Sequence, residues 1–489
     1  MNNIFINGYE LSQEQINIIK DNNKYTLIIA GAGTGKTTTL VGKIKYLLDN
    51  NLLSKDEICP ITFTNNAVNN LEEAIYKNTN TLIPCYTFHK LAIKILKDNK
   101  INYNFISDRL LSYIIDEFYL SHAFNNKYLK RIILNRYHYL LDIPSNYNKI
   151  FNSPSYLKDK ELITTFINLA SSNNINDLSY IFPNKDKFIY IIYSIYLIYK
   201  YEKESSNELD FDDLIKYTTK IINENRIVLP YKLILVDEFQ DTSLLRLNFI
   251  KSLLNKSTKL ICVGDDYQSI YRFSGCNLDI FLNFKTIFPN SKEFMITNTY
   301  RNSKELLDIT SSFITKNPYQ IKKNLTSKIS LNKPINIIYY HNSHKALIKL
   351  LTQIKDKNIL ILSRYHKDIN LYLKDYKLVN NNLYIKTLNS YYTYMTIHES
   401  KGLESNIVIV LNMTNNIMGF PSKIKDNSLL NYVNIKSNYL YDEERRLFYV
   451  ALTRTKSFVY LLTDINNPSI FIKELKNSDS VKTTIMKFL

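Results

Sequence analysis

The chain of 489 residues lacks tryptophan and has little glycine and arginine. It contains 9 glycines, against a usual share of roughly 7% of residues, and only 11 of its 62 basic residues are arginine. Together with 39 tyrosines and abundant asparagine, this usage is typical of an AT-rich genome. A glycine or arginine that is present against this bias is therefore informative. Six of the nine glycines lie in the motifs described below, namely Gly31, Gly33, Gly35, Gly264, Gly275 and Gly402.

Cysteines and long apolar runs are also scarce. The 4 cysteines are widely spaced and form no CxxC pair, so the sequence suggests neither a zinc site nor an iron–sulfur cluster. The most apolar run, Phe188–Tyr199, is too short to span a bilayer and predicts a buried helix. The first ten residues lack the basic and apolar regions of a signal peptide. We therefore expect an intracellular, cytoplasmic protein with no membrane partner, with a nucleus or an organelle left open.

The charge balance is basic, at +17 with a pI near 9.2. Such a charge favours a polyanionic partner such as nucleic acid, but it also fits a merely basic protein. Hydrophobic residues make up 45% of the chain and charged residues 22%, which predicts ordinary buried cores.

Short strand-like runs alternate with longer helical stretches in two parts of the chain. This alternation predicts two α/β cores with parallel sheets, whose ligands bind beyond the carboxyl ends of the strands. Between residues 95 and 206 the pattern is helical instead, which predicts a helical insertion into the first core. The first set of predicted strands is Tyr25–Ala30, Ile58–Phe63, Lys232–Asp237 and Lys259–Gly264. The second set is Glu293–Thr297, Asn336–Tyr340, Asn358–Ser363, Asn406–Leu411 and Phe458–Leu462.

A glycine-rich turn separates the apolar run Leu27–Ala30 from the helix-compatible stretch Thr38–Leu47. A strand that opens through such a turn into a helix directs backbone N–H groups at phosphate oxygens. We expect Lys36 to reach the β- and γ-phosphates of ATP and the Thr37 hydroxyl to bind Mg²⁺. The strict pattern has glycine where Ala30 stands, and a purely structural turn is the alternative. The expected phosphate-site residues are Ala30, Gly31, Ala32, Gly33, Thr34, Gly35, Lys36, Thr37 and Thr38.

Two adjacent carboxylates, Asp237 and Glu238, follow the apolar run Leu233–Val236. A buried strand that delivers two carboxylates is costly unless they meet a cation. We therefore expect Asp237 to bind Mg²⁺ and Glu238 to polarise an attacking water. A solvated acidic turn is the alternative, and the nearby phosphate loop argues against it.

These two motifs resemble those of the UvrD/Rep/PcrA-type DNA helicases of superfamily 1 (SF1A). Further stretches resemble that family's motifs in the same order, from Leu11 to about Leu462. The resemblance implies an α/β fold of two RecA-like P-loop NTPase cores, with parallel sheets flanked by helices and a helical insertion in the first core. The stretches are Leu11 with Gln15, Ile61–Asn65, Thr87–His89, Asp210–Leu214, Asp237–Thr242, Val263–Tyr271, Thr299–Ser303, His398–Glu404 and Glu443–Arg454.

The resemblance also implies roles in the nucleotide site. Arg301 and Arg454 would stabilise charge on the transferred phosphoryl group, work worth roughly 10³–10⁵ in rate for arginine fingers in general. Gln268 would sense the γ-phosphate and orient water. For each arginine, a surface salt bridge is the alternative. The remaining expected nucleotide contacts are Gln15 on adenine, Tyr300 stacked on adenine and Glu404 on ribose.

For DNA, single strands are held by basic grooves and by aromatic side chains on which bases stack. Phe63 and Phe273 stand where the family stacks bases, although a phenylalanine is more often part of a core. Family members usually carry tryptophan at the position of Phe273, so its platform is smaller here. The expected DNA contacts are Phe63, Thr64, Asn65, His89, Tyr271 and Phe273.

The expected domain organisation is a first core at 1–94 and 207–289, a helical insertion at 95–206 and a second core at 290–489. We expect the family's accessory domain between the fourth and fifth motifs to be absent or vestigial, because the stretch from Arg301 to Thr396 is long enough only for strands of the second core. The resemblance implies an ATP-dependent 3′–5′ DNA helicase that uses Mg²⁺, single-stranded DNA and 3′-tailed duplex DNA, with protein loading factors as further partners. A translocase that does not unwind duplexes and a catalytically dead adaptor are the alternatives.

Overall fold

The structure is a computed structural model, and the descriptions below cover most of the chain. The described residues are 5–6, 8–107, 109–122, 125–137, 150–151, 153–175, 177–179, 186–225, 227–434 and 439–486.

The first core is built on a sheet of six parallel strands. Its central strands are mostly apolar and almost entirely buried because helices cover both faces of the sheet, as parallel sheets require. Across the sheet the strands are ordered Lys292–Ile296, Tyr25–Ala30, Lys259–Gly264, Leu233–Val236, Ile58–Thr62 and Tyr86–Thr87. The helices of this core are Gln13–Lys20, Lys36–Asp49, Asn65–Thr79, Phe88–Asp98, Phe211–Asn225, Leu244–Leu253, Leu278–Leu282 and Phe284–Ile287.

One predicted strand belongs to a different sheet from the one expected. The run Glu293–Thr297 was expected in the second core, but the strand Lys292–Ile296 pairs in parallel with Tyr25–Ala30 at the edge of the first sheet. Its side chain Ile296 is fully buried in the apolar cluster beneath the phosphate-loop strand. The local sequence specifies a strand but not its neighbour, and the first sheet therefore extends beyond residue 289.

The helical insertion has a hydrophobic core of its own. Phe166 and Ile192 are fully buried in it, and the apolar run after Phe188 is a buried helix as predicted. Leu429 and Val433, which come from the second half of the chain, complete the same core. In the part of the chain that is described, no helix combines the length and the apolar character that a membrane crossing needs. The helices here are Leu110–Glu117, Lys127–Arg136, Pro154–Ser172 and Phe188–Ser206, with a π-helical turn at Phe118–His122.

The second core is built on an eight-stranded sheet that is parallel except for two antiparallel pairings at one edge. The strand order is Tyr376–Val379, Asn382–Ile385, Ser390–Thr396, Ile359–Ser363, Ser405–Val410, Thr455–Asp464, Ile335–Tyr340 and Val481–Ile485. Its helices are Lys304–Ile314, Ser343–Gln353, Asp442–Thr453 and Ile470–Leu475. The α/β class with two parallel-stranded sheets is thus confirmed.

Short strand pairs complete the described structure. The pair Asn298–Thr299 and Thr326–Ser327 lies beside the phosphate loop, because the hydroxyl of Thr299 donates to the carbonyl of Ala32 at 2.8 Å. This contact places the beginning of the second core against the first. The other two pairs are Phe5–Ile6 with Tyr9–Glu10 and Asn104–Phe105 with Glu208–Leu209.

Candidate functional site

The glycine-rich turn lies between the strand Tyr25–Ala30 and the helix Lys36–Asp49. Gly33 and Gly35 have φ values of +70° and +83°, a backbone region that glycine adopts without strain. A Cβ on Gly33 would lie 2.5 Å from the Cβ of Arg301, so the close approach of the second core also requires glycine here. The free N–H groups at the start of this helix form a site for an anion.

The two carboxylates after the strand Leu233–Val236 lie beside this turn. Lys36 Nζ is 3.3 Å from Glu238 Oε1, and the Asp237 carboxylate accepts a hydrogen bond from the backbone N–H of Glu238 at 2.8 Å. Burial raises the pKa of Asp237 to about 6. Burial acts to raise the pKa of Glu238 as well, but Lys36 and Lys401 overcome it and hold that pKa at about 2. Glu238 is therefore ionised at any physiological pH.

A cavity of about 730 Å³ opens above the turn and is lined by both cores. Most of the predicted nucleotide residues line it, whereas Ala30, Gly31 and Asp237 do not. Ala30 is fully buried as the last residue of its strand, and the Cβ direction of Gly31 faces Leu325. The predicted residues that line the cavity are Gln15, Ala32, Gly33, Thr34, Gly35, Lys36, Thr37, Thr38, Glu238, Gln268, Tyr300, Arg301, Glu404 and Arg454.

Arg454 is almost completely buried, with 1% of its surface exposed. Its guanidinium donates to Gln268 Oε1 at 3.1 Å and to the carbonyls of Val450 and Leu403 at 3.1 and 3.3 Å. Within the described residues it forms no ion pair with a carboxylate, and burial lowers its pKa to about 10. A buried cation without a counter-ion at the wall of a cavity indicates a site for an anionic ligand.

The other predicted nucleotide side chains are held differently. Arg301 Nε is 2.8 Å from Glu404 Oε2, and Lys456 pairs with the other oxygen of Glu404 at 2.6 Å. Tyr300 is 60% exposed at the rim of the cavity. Gln15 is buried, where its amide nitrogen donates to the hydroxyl of Thr39 at 3.0 Å.

Two buried lysines at this site were not among the predicted residues. Lys401 lies in the fifth motif, and its ammonium pairs with Asp241 and donates to the carbonyl of Gln268 at 2.8 Å. It thereby links the second core to two loops of the first core, the one that contains Asp241 and the one that contains Gln268. The sequence contained a signal for Lys401, because it lies within the fifth motif, three residues before the assigned Glu404.

The second lysine, Lys323, had no such signal. It pairs with Asp265 and Asp266, and the side chains of all three are completely buried. Its ammonium also lies 3.6 Å from the ring centroid of Tyr267. The stretch around Lys323 matches none of the motifs, so no sequence pattern indicated that this lysine lies near the cavity.

The predicted nucleic-acid contacts fall into two groups. In the first, the rings of Phe63 and Phe88 lie 5.2 Å apart, and the guanidinium of Arg246 lies 5.2 Å from the ring of Phe63. His89 packs against Phe211 at 5.3 Å, and its Nε2 is buried without a hydrogen-bond partner among the described residues. Burial, with Arg246 nearby, lowers the pKa of His89 to about 4. Thr64 and Asn65 are exposed beside this group at the start of the helix Asn65–Thr79.

The second group contains Tyr271, Phe273 and His398. The Phe273 ring lies 5.6 Å from the ring of His398 and is 56% exposed. Tyr271 is half-buried, and its hydroxyl donates to the carbonyl of His398 at 3.1 Å. Lys401 lies 5.0 Å from the ring of Tyr271, so one lysine contacts both the aromatic group and the acidic loop of the cleft.

Comparisons with known proteins agree with these motifs. Residues 11–289 match the UvrD/REP helicase N-terminal domain, and residues 345–464 match the UvrD-like helicase C-terminal domain. The chain is 28% identical to DNA helicase IV of Escherichia coli K12 and 27% identical to the ATP-dependent DNA helicase Rep of Buchnera aphidicola subsp. Acyrthosiphon pisum. Each alignment covers 96% of this chain and 70% of the relative. A probable DNA helicase II homolog of Mycoplasma capricolum is 29% identical over 73% of this chain and 48% of its own length.

Proposed function

We propose, from the premise that the chain belongs to the UvrD/REP helicase family, that it is an ATP-driven motor that moves along single-stranded DNA in the 3′ to 5′ direction. The observation that carries the proposal is the buried, unpaired guanidinium of Arg454 at a cavity that also contains the phosphate loop. The direction of movement rests on the family resemblance. Separation of duplex strands is a further part of the proposal and is tested separately, by strand displacement.

ATP fits the cavity as a substrate. The phosphates would bind the N–H groups of the glycine-rich turn and the ammonium of Lys36, and the exposed ring of Tyr300 offers a platform for adenine. Asp237 is buried and forms no ion pair within the described residues, so this carboxylate suits a divalent cation. Asp237 and Thr37 would hold Mg²⁺, which neutralises phosphate charge when it is bound.

Hydrolysis would use the charged groups around the γ-phosphate. The oxygen of a water forms a bond to the γ-phosphorus while the bond to the bridging oxygen of ADP breaks, which yields ADP and phosphate. Glu238, kept ionised by its lysine neighbours, accepts the water's proton, and Gln268 orients that water. Arg454 and Arg301 stabilise the negative charge on the transferred group.

Nucleotide binding would close the cleft, because its phosphates attract residues of both cores at once. The unpaired charge of Arg454 gains a partner when ATP is present and loses it again when phosphate leaves. Lys401 and Tyr271 connect this cycle to the aromatic groups, since they contact the acidic loop on one side and His398 on the other. Opening and closing of the cleft would thereby move DNA bases across Phe273.

The experiment that tests the proposal compares ATP hydrolysis by the full chain with and without single-stranded DNA. It is followed by translocation on 3′- and 5′-labelled strands. We expect hydrolysis that DNA stimulates and movement toward the 5′ end of the strand. Hydrolysis that is indifferent to DNA, or movement in the other direction, would contradict the proposal.

One structural observation favours a translocase that does not unwind duplexes. The described residues 303–396 form strands and helices of the second core, without an additional domain between the fourth and fifth motifs. A strand-displacement assay on 3′-tailed duplexes distinguishes the two functions. Translocation without strand displacement would support the motor function and contradict the helicase function. The third candidate, a catalytically dead adaptor, would require that purified protein hydrolyse no ATP.

A further inference from the structure

The loop Asp265–Gln268 contains a buried ionic cluster beside the cavity. Lys323 Nζ pairs with Asp265 and lies 2.5 Å from Asp266 Oδ1, and 0% of each of the three side chains is exposed. Two adjacent carboxylates without solvent cost several kcal/mol each unless a cation neutralises them. Within the described part of the chain, Lys323 is the cation that pairs with either of them.

This cluster controls one end of the Gln268 side chain. Gln268 Nε2 donates to Asp265 Oδ2 at 2.6 Å, while Gln268 Oε1 accepts from Arg454 at 3.1 Å. A carboxylate can only accept and a guanidinium can only donate, so the two partners together allow one orientation of the amide. In that orientation the oxygen of Gln268, and not its nitrogen, faces the cavity on the Arg454 side.

The segment that contains Lys323 is itself fastened to the same loop. The backbone N–H of Ile321 donates to Asp266 Oδ2 at 2.8 Å, and the hydroxyl of Tyr267 donates to the carbonyl of Ile321 at 2.7 Å. Two residues after Lys323, the side chain of Leu325 lies against Gly31 of the phosphate loop. The ammonium of Lys323 therefore has a fixed position relative to both loops of the cleft.

We propose that Lys323 is a positioning residue for ATP hydrolysis, which holds Asp265 so that Gln268 presents its amide oxygen to the attacking water. The proposal rests on the proposed ATPase function and adds no chemical step to it. An acceptor at this point binds a hydrogen of the water and turns its lone pair toward the γ-phosphorus. Without its lysine, Asp265 would no longer be held where it accepts from Gln268 Nε2, and the amide oxygen would lose its fixed position for orienting the water.

The test compares Lys323→Met with Lys322→Met, a neighbouring exposed lysine that serves as the matched control. Misplacement of a water-orienting group costs on the order of 100-fold in rate. We therefore expect Lys323→Met to lower kcat for DNA-stimulated hydrolysis about 100-fold and to change KM for ATP by less than about 3-fold. Lys322→Met should resemble the wild type. An unchanged kcat in Lys323→Met, with an active wild type, would overturn the positioning role.

A double variant separates positioning from general structural support. If Lys323 acts through Gln268, Lys323→Met in a Gln268→Ala background should lower kcat no further than Gln268→Ala does alone. An additional 100-fold loss in that background would contradict the proposal. Should Lys323→Met not fold, Asp265→Asn provides the same test, because Lys323 then keeps its pairing with Asp266. An inactive wild type would instead refute the proposed ATPase function.

Discussion

The nucleotide cleft and the two aromatic groups lie on the same pair of cores, but their side chains are held in different ways. In the cleft, Arg454 and Lys401 have side chains with little exposure and several partners, as Lys401 has Asp241 and the carbonyl of Gln268. Phe273, in contrast, is more than half exposed and meets the rings of Tyr271 and His398 edge to face. These charged groups are held in place before a ligand arrives, whereas the exposed ring of Phe273 is available for contacts with a ligand.

This difference has an energetic meaning. Removing one partner from a buried ion pair leaves an uncompensated charge and costs about 3–5 kcal/mol. Removing an exposed platform costs about the value of one stacked base, roughly 1–3 kcal/mol. Substitutions in the cleft should therefore affect catalysis and folding together, whereas substitution of the exposed Phe273 should affect mainly DNA-dependent properties.

The largest effect is expected from Lys36→Ala. We expect hydrolysis to fall by about 10³-fold or more, because the phosphates lose their main cation, while binding to single-stranded DNA is retained. Lys45→Ala, on the same helix and paired with Asp49, should hydrolyse ATP as the wild type does. Rates are measured by phosphate release and binding by fluorescence anisotropy. Unchanged turnover in Lys36→Ala would refute the assignment of the nucleotide site.

Lys401→Met tests a side chain that contacts both the cleft and the aromatic groups. Because Asp241 is left buried without its cation, we expect the free energy of unfolding to fall by about 3–5 kcal/mol. DNA stimulation of hydrolysis should be lost as well. The double variant Lys401→Met with Asp241→Asn removes both charges and should recover much of the stability in a thermal or urea denaturation. Lost stability with intact DNA stimulation would show that Lys401 only supports the fold.

Phe273→Ala tests the exposed ring that is proposed to stack on a DNA base. Loss of one stacked base predicts about 5- to 150-fold weaker binding of single-stranded DNA, with basal hydrolysis nearly unchanged. Phe273→Trp provides a larger platform and should bind more tightly than the wild type. Both are measured by titration of a fluorescent oligonucleotide at fixed salt. Equal losses of basal and stimulated hydrolysis in Phe273→Ala would mean that this ring belongs to the core.

The smallest expected effect is a pH dependence of stability from the aromatic groups. Burial lowers the pKa of His89 and of His398 to about 4, with Arg246 and Arg364 respectively adding to the effect. An unfolded histidine titrates near 6.5, so between about pH 6.5 and 4 the unfolded chain binds more protons than the folded chain does. The free energy of unfolding therefore falls as the pH is lowered through this range.

At pH 5.5 we expect each of these histidines to cost about 1 kcal/mol relative to pH 7.5. His398→Gln should therefore show a smaller fall in melting temperature on acidification than the wild type, and the exposed His341→Gln should show the same fall. An identical pH profile for His398→Gln would mean that His398 titrates normally.

The sequence predicted those parts of the fold and site that carry a local pattern. The strands Tyr25–Ala30 and Lys259–Gly264 match their predictions residue by residue, because apolar runs with polar ends mark buried parallel strands. The motif order also predicted the helicase family correctly. The strand Lys292–Ile296 was assigned to the wrong sheet, since pairing depends on tertiary contacts.

Other features had no local signal. The antiparallel hairpin of Tyr376–Val379 and Asn382–Ile385 was not among the predicted strands. Asn380 and Asn381 adopt positive φ values there, which asparagine tolerates and which a two-residue hairpin turn uses. Lys323 was missed because burial of a lysine is decided by distant acidic residues. The roles of the predicted site residues stay predictions until they are measured.

Leu429 and Val433 attach the helical insertion to the second half of the chain. They come from the stretch before the helix Asp442–Thr453, yet they are buried in the core of the helical insertion, where Asn173 also donates to the carbonyl of Val433 at 2.8 Å. Exposing each side chain would cost roughly 1.5–3 kcal/mol. The insertion is therefore attached to the second half of the chain as well as to the first core, and a rotation of the cores that did not carry it along would expose these two side chains.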